Sequence, residues 1–146
     1  MFVVEGASLI AQAFAAGWEI EAQYVAPGTT AVALSATNGA AVFELAPNVI
    51  ERVASTEAPQ PVLAVVRQRK SALPAQATFV LVGDRVADPG NAGTIIRSAE
   101  AAGADAVVFT SGSVDQYNSK VVRSSAGSLF RMPVVSMEFA ELQSAG

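Results

Sequence analysis

Short, apolar, β-branched runs that take turns with helical patterns predict an α/β protein in two parts, a small α/β sandwich followed by a parallel-sheet domain. A glycine-rich turn, Asp88-Pro89-Gly90-Asn91-Ala92-Gly93-Thr94-Ile95-Ile96-Arg97-Ser98-Ala99, stands between an apolar strand and a small-residue helix. A basic stretch with a proline and no apolar periodicity, Arg67 to Gln76, reads as the linker. The domains expected are residues 1–70 and 77–146.

Phe2-Val3-Val4-Glu5 predicts a strand, and Gly6 leads into a helix from Ala7 to Ala16 with Leu9, Ile10, Ala13 and Phe14 at helical spacing. Gly17 is its stop. Ile20 to Ala26 is a second strand closed by Pro27-Gly28, Ala41 to Leu45 a third, and Pro47 opens a short helix through Ile50 and Val53. Val62 to Val66 is a fourth strand.

In the second half, Thr78-Phe79-Val80-Leu81-Val82 predicts a strand buried on both faces. A helix from about Ala92 to Ala102, stopped by Gly103, leads to the strand Ala106 to Phe109, which makes a βαβ unit with parallel strands and a right-handed crossover. Asn118 to Ser125 is helical, Gly127 interrupts it, Met132 to Val135 begins another strand, and Glu138 to Gln143 starts a helix. Three parallel strands are few for such a domain, so the second part is expected to be incomplete.

The 146 residues are 51% hydrophobic, enough for a packed core, and contain no cysteine and no histidine. Disulfides, thiolate or imidazole metal sites and imidazole acid–base catalysis are thereby excluded, and no metal is expected. Met1 to Ile10 lacks the basic-then-apolar order of a signal peptide, and no apolar run approaches the roughly 20 residues that span a bilayer. A cytoplasmic protein is expected. The net charge of −4 argues against a broadly basic nucleic-acid surface. The cations are nevertheless clustered: Arg67, Arg69 and Lys70 in the linker, and Arg97, Lys120, Arg123 and Arg131 among the polar turns of the second half.

The glycine-rich turn is neither of the common nucleotide loops. Gly90 is followed by Asn91 where a Walker A loop needs Lys, and Gly90 and Gly93 have the wrong spacing for the dinucleotide fingerprint. What remains is Asn91-x-Gly93-x-x-x-Arg97. With a helix starting near Ala92, Gly93 lets another segment approach, and Arg97 lies one turn on, about 6 Å along the axis. The free amides of a helix start suit an anion. Asn91 read alone is an N-cap and Arg97 a surface cation. A second constellation, Lys120 to Val134, places small residues from Ser124 to Ser128 ahead of the apolar anchors Leu129 and Phe130. By itself it is a helix end with a glycine stop.

Together and in this order, Asn91-x-Gly93-x-x-x-Arg97-Ser98-Ala99 and Lys120 to Val134, centred on Ser125-Ala126-Gly127, resemble the SpoU, or TrmH-like, branch of the SPOUT RNA methyltransferases. Phe2-Val3-Val4-Glu5-Gly6 and Val62 to Val66 resemble that family's N-terminal RNA substrate-binding domain of ribosomal-protein L30e type. The resemblance implies transfer of a methyl group from S-adenosylmethionine to a ribose 2′-hydroxyl of rRNA or tRNA. Arg97 would be the catalytic arginine with Asn91 as its partner. Arg97, Lys120, Arg123, Arg67, Arg69 and Lys70 would contact RNA, and the complete enzyme would be a homodimer. The family's third motif, glycine- and proline-rich with a Ser-Leu-Asn segment, is threaded as a deep knot and supplies most of the cofactor pocket. The expectation is therefore that the knot region and the main cofactor pocket lie beyond Gly146, and that this chain is incomplete and does not turn over. A non-catalytic RNA-binding module, and a phosphate- or nucleotide-binding α/β protein, are the competing readings.

Overall fold

The computed structural model of the protein describes residues 1–33, 39–46, 48–53 and 58–144. The chain forms two compact units, Met1–Gln68 and Arg69–Gly146. The boundary falls inside the basic segment Arg67 to Gln76.

The first unit runs β1 (Phe2–Glu5), α1 (Ala7–Ala15), β2 (Ile20–Val25), β3 (Ala41–Glu44), α2 (Val49–Val53) and β4 (Val62–Val66). These elements end within a residue or two of the positions expected from the β-branched runs and their glycine and proline stops. The exception is the expected start of α2 at Pro47, which lies outside the described residues. The sheet order is β1-β4-β2-β3. The last strand in sequence is thus central, antiparallel to both β1 and β2, while β3 adds parallel to β2. One face is closed by α1, whose Ile10 and Ala13 are buried with Val4, Ala64 and Val66. Phe2 and Trp18 pack edge to face, with ring centroids 5.8 Å apart. Gln23 is polar yet 2% exposed, and it is fully used. Its Nε2 donates to the Val32 carbonyl at 3.0 Å and its Oε1 accepts from the Val32 amide at 2.9 Å, so burial leaves neither group orphaned.

The second unit runs β5 (Val80–Gly83), α3 (Pro89–Ala101), β6 (Ala106–Thr110), α4 (Ser119–Ser124), a short 3-10 turn at Ser128–Phe130, β7 (Val134–Met137) and α5 (Phe139–Ser144). All strand pairs are parallel, in the order β5-β6-β7. The strand buried on both faces is therefore β6, every residue of which is buried. The expectation that the strand before the glycine-rich turn is so buried is wrong: β5 lies at the sheet edge and leaves Val82 42% exposed. An apolar, β-branched run is compatible with either place, and only strand order decides. The start of β5 is fixed by Asp105, whose Oδ2 accepts from the Thr78 and Phe79 amides at 2.7 and 2.9 Å. Among the described residues no helix is long and apolar enough to cross a membrane.

Candidate functional site

The glycine-rich turn becomes a helix earlier than its glycines suggest. Asp88 is the N-cap of α3, its Oδ1 accepting from the Asn91 amide at 2.7 Å, and Pro89 occupies the first turn where its missing N–H costs nothing. Asn91 is therefore not the cap, and the expected start near Ala92 is corrected to Pro89. Asp followed by Pro is the stronger start signal, and it leaves the Asn91 amide group pointing outward.

The helix then divides by face. Ala92, Gly93, Ile96 and Ala99 are buried, whereas Asn91, Thr94, Arg97 and Ser98 are exposed. Asn91 and Arg97 are separated by about 9 Å of helical rise. Among the described residues the Asn91 amide group and the Arg97 guanidinium make no hydrogen bond or ion pair. This stripe presents a donor–acceptor group and a permanent cation, both available to a ligand.

What fixes the stripe is the junction between the two sequence constellations. A Cβ at Gly93 would stand 1.9 Å from Ser124 Oγ and 2.7 Å from the Ser125 backbone nitrogen, so α4 rests on the glycine itself. Ser124 Oγ reaches the Pro89 carbonyl at 3.1 Å and the Lys120 carbonyl at 2.7 Å, which ties the end of α4 to the start of α3. Ser125 is wholly buried and donates to the Val122 carbonyl at 2.8 Å. Beyond it the chain turns through Ala126 and Gly127 at φ 51° and 92°, the second a value that glycine adopts without strain. Leu129 and Phe130 then anchor the turn, 2% and 5% exposed.

Arg131 closes the assembly from the far side. Its Nε and Nη2 donate to the two carboxylate oxygens of Glu100 at 2.6 and 3.0 Å. The fork holds the Glu100 carboxyl below its usual range, and Arg131 is raised in turn. Arg131 is thereby a structural cation.

The basic residues expected to contact RNA fall into different settings. Lys120 is exposed at the start of α4, its Cε 3.9 Å from the position a Cβ on Gly90 would take, so it lies along the first turn of α3. Arg123 is exposed on the last turn of α4. Arg69 and Lys70 are exposed and belong to the second unit. Arg67 lies in another setting. It belongs to the first unit, where it pairs with Glu21 and, at 3.4 Å, with Glu19, and the Glu21 hydrogen bond leads the causes that raise its pKa. Neighbourhood in sequence groups it with Arg69 and Lys70, while across the sheet it faces two carboxylates.

A cavity of about 440 Å³ and mixed lining opens at the carboxyl ends of β5, β6 and β7, bounded by Asp84, Arg85, Thr110, Ser111, Glu138 and Phe139. Thr110 donates to Asp84 Oδ1 at 2.6 Å and accepts from the Arg85 amide at 3.0 Å. The Thr110 hydrogen bond leads the causes that lower the Asp84 pKa. Arg85 is held in the left-handed region at φ 49°. Parallel sheets bind ligands at this end, and the strand-to-loop order alone could have drawn attention to it. The sequence reading did not.

Residues 78–145 match the SpoU rRNA Methylase family, and residues 1–64 match the MRM3-like substrate binding domain. The chain is 37% identical over 134 residues to the 23S rRNA (guanosine(2553)-2′-O)-methyltransferase RlmP of Bacillus subtilis, covering 92% of this chain and 53% of that protein. The crystal structure of an AdoMet-bound rRNA methyltransferase from Sinorhizobium meliloti superposes with a TM-score of 0.84 at 33% identity, over 99% of this chain and 57% of the other. The SpoU methyltransferase AviRb from Streptomyces viridochromogenes, in complex with the cofactor AdoMet, gives 0.84 at 31% identity over 98% of this chain and 58% of its own. The chain thus spans little more than half the length of these relatives. With the paired constellations welded at Gly93, consecutive domain matches and likeness in fold over nearly every residue, residues 78–145 belong to the SpoU rRNA Methylase family and follow an MRM3-like substrate binding domain.

Proposed function

We propose that the protein is an RNA ribose 2′-O-methyltransferase that uses S-adenosylmethionine, and that this chain supplies the RNA-facing side of the site. The observation that carries the reading is the exposed stripe from Asn91 to Arg97, held by the Gly93 junction with Lys120 beside its first turn. An arginine remains charged in a protein, so Arg97 acts as a fixed cation rather than as a base. It grips an RNA phosphate and stabilises negative charge growing on the attacking 2′-oxygen. Asn91 orients the nucleotide. Lys120, Arg123, Arg69 and Lys70 hold the backbone on either side, and Arg67 is left out because Glu19 and Glu21 occupy it. The first unit takes the role of the substrate-binding domain, in keeping with its family match. Ribosomal RNA is the substrate named for the relatives. The finer expectations of a homodimer and a cytoplasmic location go with this reading, and light scattering and cell fractionation test them.

The described residues do not fit the methyl donor by themselves. An adenosyl group is bound between apolar walls that cover most of its surface. The cavity at the strand ends is open and of mixed polar and apolar lining, and its one aromatic wall, Phe139, is 52% exposed. That misfit favours a second reading, RNA binding without turnover.

Transfer of labelled methyl from S-adenosylmethionine to 23S rRNA separates the two. On the first reading the wild-type protein labels the RNA, Arg97→Ala loses at least about 100-fold in rate, and Arg67→Ala keeps it. Labelling that survives Arg97→Ala overturns the role of Arg97. RNA binding with no labelling and no calorimetric binding of the donor establishes the second reading in place of the first.

A further inference from the structure

Tyr117 stands in the residue before the N-cap of α4, and its hydroxyl performs an unusual double contact. It accepts from the Arg69 amide at 3.2 Å and donates to the Arg69 carbonyl at 2.5 Å, so one phenol satisfies both backbone groups of a residue 48 positions away. The Tyr117 backbone is itself braced. Its amide donates to Asp115 Oδ1 at 2.9 Å, the Asn118 amide donates to the Asp115 carbonyl at 3.0 Å, and Asn118 Oδ1 caps α4 at the Lys120 amide at 2.9 Å. The loop that starts α4 therefore also holds the point where the linker enters the second unit.

The charges follow from that contact. Arg69 and Lys70, both exposed, are brought to the start of α4. Lys120 lies there too, and its side chain continues to the first turn of α3, where the Asn91 and Arg97 stripe begins. We propose that Tyr117 is a positioning residue that fixes the linker cations Arg69 and Lys70 beside Lys120. They thereby extend the RNA-backbone surface of α3 across α4 to the linker. The inference rests on the RNA-facing reading above, which already includes Arg69 and Lys70, and adds Tyr117 as the residue that sets their place.

The test is binding of the whole chain to poly(U) RNA across a potassium chloride series, for the wild type, Tyr117→Phe, the pair Arg69→Gln with Lys70→Gln, and the triple variant. Two lost phosphate contacts make the slope of log K against log salt shallower by about 1.4 on single strands. The paired charge variant should show that change. Tyr117→Phe, which keeps the ring and removes only the hydroxyl, should show at least about half of it, with affinity weakened roughly threefold. In the triple variant the phenylalanine should add nothing. Exchange of the Arg69 amide should accelerate at least about tenfold in Tyr117→Phe, a readout independent of RNA.

An unchanged slope in Tyr117→Phe with wild-type binding intact overturns the proposal, as does equal weakening by Tyr117→Phe in both charge backgrounds. If Tyr117→Phe does not fold, an unchanged slope in the paired charge variant overturns it instead. A wild-type chain that fails to bind poly(U) at any salt overturns the RNA reading itself, a different result from either.

Discussion

Gly93→Ala tests the junction on which the site depends. The added methyl would lie 1.9 Å from Ser124 Oγ, 2.8 Å from Ser124 Cβ and 2.7 Å from the Ser125 nitrogen, where ordinary carbon contacts begin near 3.4 Å. The hydroxyl can rotate away. The Cβ and the backbone nitrogen cannot, so α4 has to withdraw from α3 by roughly 0.5–1 Å, breaking the Ser124 contact to the Pro89 carbonyl. Overpacking of this kind, backbone shift included, costs about 1–3 kcal/mol. Alanine offsets about 1 kcal/mol through its better helix propensity. The net expectation is a loss of up to about 2 kcal/mol, or up to roughly 15 °C in the unfolding temperature of a unit this size. Scanning calorimetry on Gly93→Ala measures it, and Ser124→Gly in the same chain should restore part of the loss by removing two of the three close atoms. Poly(U) affinity should fall with stability, because Lys120 moves away from the first turn of α3. A Gly93→Ala protein that melts at or above the wild-type temperature would refute the reasoning, since helix propensity would then outweigh a contact too loose to matter.

Two further outcomes concern the second unit. Arg85 sits at φ 49°, so Arg85→Gly should change stability by less than about 1 kcal/mol, while β-branched Arg85→Val should cost about 2 kcal/mol in a denaturant titration; equal effects would show that the backbone there is unstrained. Glu100, Asp105 and Asp84 all titrate below their ordinary values, through the Arg131 fork, the Phe79 amide and the Thr110 hydroxyl respectively. Carboxyls lowered on folding stabilise the native state when ionised. Stability should thus be flat near neutral pH and fall as the pH drops through about 4 and below. Glu100→Gln should make that fall shallower, and an identical acid limb in Glu100→Gln would remove the fork from the account.

The strands were legible because β-branched runs such as Val62 to Val66 end at proline, glycine or charge, and their limits need no tertiary information. The exposure of β5 was not, since its composition is that of an interior strand and its place at the edge follows from the order of pairing. Arg97 and Asn91 could be singled out from their spacing to Gly93, but the reason for the glycine lay in Ser124 and Ser125, which sequence distance conceals. The carboxylate partners of Arg67 were hidden for the complementary reason. Its neighbours in the chain are cations, whereas its neighbours in space are the carboxylates of β2 and the residue before it. Tyr117 carried no signal at all, because a phenol that bonds the backbone leaves no mark on the sequence of its partner. Asp88-Pro89 did carry one, a cap followed by a first-turn proline, and the glycines drew attention past it.

The sheet order of the first unit has a kinetic consequence. β1 is made first, yet its ladder partner is β4, the last strand of the unit, whose residues pair with it from Phe2–Val66 to Glu5–Leu63. During synthesis β1 and α1 wait for some sixty residues before the central strand can join them to β2, a closure that local contacts cannot replace. The unit should therefore assemble as a single event once Val66 has left the ribosome, with Arg67 closing onto Glu19 and Glu21 as that event ends. Until then the nascent chain exposes the apolar faces of β1 and α1. A chaperone that shields short β-branched segments would act on the first half of this protein and leave the second, whose strands pair with their successors in order, to fold as it emerges.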